Sequence, residues 1–401
     1  MRTYTELFGT PEFTPLFATG AVQVAASTVS GLALGTLVYA ATGSPLLSAL
    51  SMFGSSFAQL LGAMVLLSAA DRLRPRAALT GLALVFCAST AVLAVPGLPL
   101  WAVFVLILGQ GTAASLGGGV RIGLLNEILP REGYLLGRSV LSMSVGVQQI
   151  CGFAAGGVLV AALSPRVTLL VGAGLYLVAA AVARLGLGDR PPRVAGRPSV
   201  ARTWRTNRLL LSSRARRRVY LAMWVPNGLI VGCESLYVSH DARHAGLLFA
   251  FAALGMLAGD TVMGRFVPAG WRERLATPLR LLLAAPYLLF LLSPPLPVAA
   301  AAVALASAGF SAGLMLQQRL MEITPEEMSG QAFGLQSSGM LAMQGVAASI
   351  AGTVAEFTSP PVAMAVMAAA SIAVTLALAP GLRRERERSA EGVPGGRVTG
   401  R

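Results

Sequence analysis

Lysine is absent from this 401-residue chain, and charge of any kind is scarce: 12% of residues are charged against 55% hydrophobic, and all 31 basic residues are arginine. With a mean hydropathy of +0.70, so little charge excludes a soluble globular protein, whose core could not hide that much apolar surface. The formal net charge of +14 would suit nucleic acid, but no polar domain exists to carry the arginines as a patch, so a nucleic-acid partner is excluded. Cysteine is as rare. Cys87, Cys151 and Cys233 are odd in number, far apart and each inside an apolar segment, which excludes a disulfide framework and leaves them as small packing residues. Histidine occurs twice, and no HExxH, phosphate loop or metal cluster appears, so neither metal nor cofactor is expected. Gly309-Phe310-Ser311-Ala312-Gly313 has the spelling of a nucleophile elbow, but it follows an apolar helical pattern and not a strand. Gly259-Asp260 matches half of an intramembrane protease motif whose earlier glycine position holds Leu257. The expectation is a protein that is not an enzyme. The N-terminus lacks a cationic flank, short apolar run and cleavage site, so no removable signal peptide is expected.

What the chain does have is apolar segments arranged around one basic stretch. Arg184 to Arg218 holds 11 of the arginines, with six hydrophobic segments before it and six after. A bilayer core needs about 20 apolar residues per helix. On that measure the spans fall at 16–41, 46–69, 77–96, 98–118, 140–163 and 167–187, then 219–239, 244–263, 275–293, 296–316, 332–356 and 361–380. Twelve spans put both termini on one side. If that side is the cytoplasm, with 119–139 as one of its loops and Arg280 snorkelling back to it, 29 arginines lie there and two, Arg166 and Arg243, on the far side. The positive-inside rule predicts such a split, and one span more or fewer would destroy it. The expected location is the plasma membrane, multi-pass, with both termini cytoplasmic.

The far-side turns are short and built from helix breakers, such as Thr42-Gly43-Ser44-Pro45 and Pro96-Gly97-Leu98-Pro99. They predict tight antiparallel hairpins. The expected all-α fold has an N-terminal six-helix bundle (1–187), a basic cytoplasmic linker (188–218), a C-terminal six-helix bundle (219–380) and a disordered tail (381–401). Within the linker, Ser199 followed by Val200-Ala201-Arg202-Thr203-Trp204 suits a capped amphipathic helix on the membrane surface, and a merely solvated basic linker fits equally. The halves repeat local devices: Leu129-Pro130-Arg131-Glu132 leads into a Gly-rich span, as Thr324-Pro325-Glu326-Glu327 does, and Asp71-Arg72 to Arg76 has a counterpart in Asp260 to Gly264-Arg265.

At these residues the chain resembles the major facilitator superfamily of transporters. The family signature between spans two and three, Gly-x-x-x-Asp-Arg-x-Gly-Arg-Arg, is matched at Asp71, Arg72 and Arg76, while Leu67 and Arg74 hold its glycine positions and Pro75 replaces an arginine. In the second copy Asp260 and Arg265 are in register, and Gly264 falls one residue late. The resemblance implies a charge relay that helps lock one conformation. Gly152, Gly156 and Gly157 fit the glycine pattern of the family's antiporters, with Phe153 where a proline is expected. Gln110-Gly111 fits the end of a pattern that begins with a buried arginine, and Ile107 holds that place. Thr42-Gly43-Ser44-Pro45 after a Gly-rich span is similar to the macrolide-efflux-like exporters of the superfamily.

An ionisable group inside a span is a functional candidate by default. Glu234 is the carboxylate set well within one, beyond Pro226-Asn227-Gly228, which interrupts the same helix and frees backbone to line a cavity. Two roles are open to it: taking up a proton or pairing a cationic substrate, or reaching the far interface near His240 and His244. Gln23 and Ser27, four apart, share a helix face. With Gln110, Gln148, Gln149, Asn227 and Gln344 they form the hydrogen-bonding set for a substrate. The resulting expectation is a monomeric secondary transporter with a small-molecule substrate, in contact with membrane lipid and coupled to protons, that exports a hydrophobic or amphipathic molecule by alternating access. A nutrient-uptake permease and a non-transporting membrane sensor remain the alternatives.

Overall fold

The computed structural model describes residues 4–70, 73–129, 131–191, 200–325 and 328–391. After the short α1 (Tyr4–Phe8), the first half runs through α2 (Phe13–Thr42), α3 (Pro45–Ala70), α4 (Pro75–Leu93), α5 (Leu100–Ile128), α6 (Arg131–Ala162) and α7 (Pro165–Gly186). The linker contains α8 (Val200–Ser212). The second half begins with α9 (Arg214–Glu234), the one-turn α10 (Tyr237–His240) and α11 (Ala245–Thr261), which ends in a π-helical turn at Val262–Phe266. Next, α12 (Ala269–Ala284) tightens into a 3-10 stretch at Ala285–Leu292, and α13 (Leu296–Ala308) continues through Gly309–Ser311 into α14 (Ala312–Glu322). The fold closes with α15 (Ser329–Phe357) and α16 (Pro360–Glu391).

Ten helical segments among the described residues are long and apolar enough to cross a membrane. The continuous helices α3 and α6, of 26 and 32 residues, stand where the other two expected spans lie. Breakers set the limits. Gly43 takes φ +66° and its N–H bonds the Tyr39 carbonyl, closing α2, and Pro45, Pro75, Pro165 and Pro360 sit at first helical positions, where a missing N–H costs nothing.

Two boundaries and one side chain differ from the sequence expectation. Residues 119–139 are not a loop: α5 runs to Ile128 and α6 begins at Arg131. At 29 residues, α5 is about 43 Å long, well beyond the roughly 30 Å apolar layer of a bilayer. The Gly117-Gly118-Gly119 run and Arg121 lower hydropathy without ending the helix, because neighbouring helices hold it. The tail expected from 381 is helical to Glu391, through a run of Arg, Glu and Ala, all good helix formers. Residues 392–401 lie outside the described set. Finally, Arg280 does not snorkel. Its side chain is 2% exposed, and its Nε and Nη2 have no partner.

Within the first half, α2 packs on α6 and α7, α3 on α5, and α4 on α7; within the second, α9 packs on α15 and α16, and α11 on α13. The halves meet where α3 lies on α15 and α6 on α11. The linker helix is docked, not merely solvated. Leu210 is fully buried, Asn207 accepts from Gln331 at 2.8 Å, and the Arg216 guanidinium donates to the carbonyls of Leu209, Leu210 and Ile323 at 3.1–3.2 Å. One arginine thus satisfies terminal carbonyls of two helices, the favoured place for a cation. Trp204 and Leu209 remain more than half exposed, and Ser199, the expected cap, lies outside the described residues.

Candidate functional site

A cavity of about 340 Å³ lies among α2, α3, α4, α5, α6, α7 and α15. Helix α5 supplies a whole face of it, because Ile107, Gln110, Gly111, Ala114, Gly118 and Arg121 recur at steps of three and four residues. Helix α2 adds Gln23 and Ser27, α3 adds Ser51, Phe53 and Gln59, α6 adds Gln149 and Phe153, and α15 adds Leu341 and Gln344. The polar groups interlock. The Gln110 amide nitrogen donates to Ser89 Oγ at 2.6 Å and Thr90 Oγ1 at 3.1 Å, joining α5 to α4. Arg121 Nη2 donates to Gln23 Oε1, joining α5 to α2, while Arg121 Nε is buried with no acceptor. Leu34, Phe53, Phe86 and Phe153 add apolar surface to the lining.

Of the candidates named from sequence, Gln23, Gln110 and Gln344 meet in this cavity, and Gln148, Asn227 and Glu234 do not line it. Gln148 and Gln149 are adjacent on a helix, about 100° apart, and of the two Gln149 is the one that lines the cavity. Asn227 and Glu234 stand on α9 behind α15, which packs on both α3 and α9. In the same segment Ser371 Oγ donates to the Pro226 carbonyl at 3.3 Å, and Gly228 packs on Met343. Glu234 makes no hydrogen bond or ion pair with any described residue. It lies within electrostatic reach of Tyr237 and Tyr287, whose buried hydroxyls are 2.6 Å apart.

The halves are sealed together at the far-side turns. Gly157 and Gly246 touch so closely that a Cβ on Gly157 would stand 2.2 Å from the Gly246 Cα. Phe153 and Phe249 stack across the same interface at 4.3 Å. Here the departure from the expected proline acquires a role: the ring that lines the cavity also joins the two halves. Glu356, one residue from the end of α15, accepts from Ser44 Oγ at 2.8 Å and from the Leu46 N–H at 3.4 Å. Its carboxylate therefore sits at the positive N-terminus of α3, where Ser44 Oγ also accepts from Leu47 N–H at 3.2 Å. Beside this seal, Asp241 lies outside the spans. Partial burial opposes its ionisation, but hydrogen bonds from the His244 ring at 2.8 Å and from the His244 and Arg243 N–H groups at 3.2 Å outweigh it and hold the carboxyl below the usual carboxylate range.

At the opposite, arginine-rich end, Asp71 and Arg72 lie outside the described residues. Arg76 pairs with Asp189 at 3.5 Å, and Arg190 bridges Glu12 at 3.1 Å and Glu127 at 3.4 Å. Asp260 and Arg265 are exposed, with Gly264 and Arg265 in the π-helical turn that ends the eighth span. Ser311 is buried within a helix and donates to the Ala308 carbonyl at 2.8 Å, which is no nucleophile elbow.

Arg121 is the residue that sequence reasoning missed. It was counted with a loop, whereas the structure makes it a cavity wall. The signal was available: Arg121 lies 11 residues, about three turns, beyond Gln110, and so shares its helix face.

An all-helical membrane bundle with a chamber lined by polar and apolar side chains suits a small-molecule carrier. The family model of the Major Facilitator Superfamily matches residues 16–240. The chain belongs to this superfamily and is a membrane transporter of its type. Solved structures agree in fold. A POT family transporter in complex with a thioalcohol-conjugated peptide is 12% identical, with a TM-score of 0.69 over 93% of this chain and 96% of that one. The nucleoside transporter NupG is 11% identical, with a TM-score of 0.71 over 92% and 99%. A bacterial homologue of the human lysosomal transporter Spinster is 14% identical, with a TM-score of 0.67 over 93% and 92%. No curated protein sequence matches the chain.

Proposed function

We propose that the protein is a monomeric plasma-membrane exporter with both termini cytoplasmic, moving a small amphipathic molecule by alternating access between the bundles 1–187 and 219–380 around the cavity of α2, α5, α6 and α15. The observation that carries this reading is the cavity's mixed lining: the side-chain amides of Gln23, Gln110, Gln149 and Gln344 together with the rings of Phe53, Phe86 and Phe153. A few placed polar groups on an apolar surface are what an amphipathic ligand needs. Export is favoured by the resemblance of Thr42-Gly43-Ser44-Pro45 to the macrolide-efflux-like exporters. Coupling falls to Glu234, which lacks a partner among the described residues and stands beside the far-side seal but outside the cavity. It therefore serves as a proton carrier and not as a substrate ligand.

The test is flux in proteoliposomes, with and without an imposed pH gradient, of amphipathic compounds with wild type and Glu234→Gln. Gradient-driven flux in the wild type that loses its dependence on the gradient in the variant is the expected result. A variant with unchanged pH dependence would remove Glu234 from the coupling, and flux running only inward would replace export by uptake.

A further inference from the structure

We propose that the transported molecule carries an anionic group, a carboxylate or a chemically similar oxyanion, and that Arg121 is the residue that pairs with it. The proposal rests on the cavity being the transport site and adds the charge of what it holds. No Asp or Glu is among the cavity's described lining residues, so the guanidinium faces the chamber without a protein counter-charge. Its one described hydrogen-bond partner is a neutral amide, Gln23 Oε1, and its Nε is buried without an acceptor. Gly20 leaves room beside it: a Cβ there would only just touch the guanidinium, at 3.5 Å. A guanidinium offers five N–H donors in a planar fork, and an unpaired buried cation is costly until an anion meets it. The fork matches two oxygens of one acid group.

Arg280 makes the contrast. Its side chain is buried with two unpartnered nitrogens, but it does not line the cavity, so an unpartnered buried nitrogen alone is not the argument. Position is. Arg121 is aimed into a chamber whose other donors, Gln149 and Gln344, can bind further oxygens and whose phenylalanines can cover an apolar body.

The test uses the full chain in nanodiscs and proteoliposomes, with octanoate, benzoate and naphthoate as probes beside their neutral amides. Thermal unfolding measures binding, since a ligand that binds the folded state raises its melting temperature. At least one carboxylate is expected to stabilise the wild type more than its amide does. That preference should fall at least tenfold in apparent affinity in Arg121→Gln and be partly kept in Arg121→Lys, which preserves charge without the fork. Carboxylates that bind no better than their amides, or a preference that survives Arg121→Gln in folded protein, would overturn the proposal. Flux of the same probes separates the two readings. Amides that move while carboxylates do not would overturn the anion assignment and leave transport standing. Arg121-dependent binding without flux would support the site and count against the transport reading.

Discussion

Arg121 and Gln23 are one unit, and each explains the other. The amide oxygen of Gln23 is the single described acceptor of a charged donor inside the bundle, so its loss exposes the full cost of that charge. Gln23→Leu is expected to destabilise the protein by about 2 kcal/mol, the scale for a buried hydrogen bond to a charged group. Adding Arg121→Leu should recover part of the loss, because the stranded charge is then gone. Reversible unfolding of the two single variants and the double variant checks this; strictly additive losses would mean the two side chains do not cooperate. This pair was only half legible in the sequence. Gln23 stood out as a polar residue in an apolar span. Arg121 was hidden by its three preceding glycines and by the rule that assigns arginines to loops. That rule describes lipid-facing residues well and fails for a side chain that faces an internal cavity.

At the scale of elements, the far-side seal joins helix ends. A carboxylate at the C-terminus of its own helix is unfavourably placed, and Glu356 escapes this by lying on the N-terminus of α3 in the other half. The contact has to break whenever the far side opens. Glu356→Ala is expected to favour the open far side by about 1 kcal/mol, a typical capping contribution. Labelling of a cysteine at Gln344 by an impermeant maleimide added from the far face should then be about fivefold faster, and unchanged labelling would remove Glu356 from the seal. The close approach of α6 and α11 at Gly157 and Gly246 was foreshadowed by the glycine pattern of the fifth span. Which helix those glycines would meet was not, since sequence gives a helix its small face but not the partner that fills it.

For the whole molecule, the arrangement of long helices was readable because length, breakers and charge asymmetry speak together. Twelve apolar stretches, proline and glycine at their ends, and the 11 arginines of Arg184 to Arg218 between the sixth and the seventh leave little freedom. The interior was less readable. Adjacent residues such as Gln148 and Gln149, or groups on one helix such as Asn227 and Glu234, have their fates decided by rotation and by which neighbour intervenes, and no periodicity gives that. The central claim is that the halves move about the cavity and that the far-side seal must open for the cargo to pass. It is tested most directly by placing cysteines at Ser44 and Glu356 in a chain lacking Cys87, Cys151 and Cys233. A short bis-methanethiosulfonate then bridges the pair, and flux of the preferred probe is followed in proteoliposomes. The account predicts that bridging stops flux and that a reductant restores it, whereas undiminished flux through the bridged protein would contradict it.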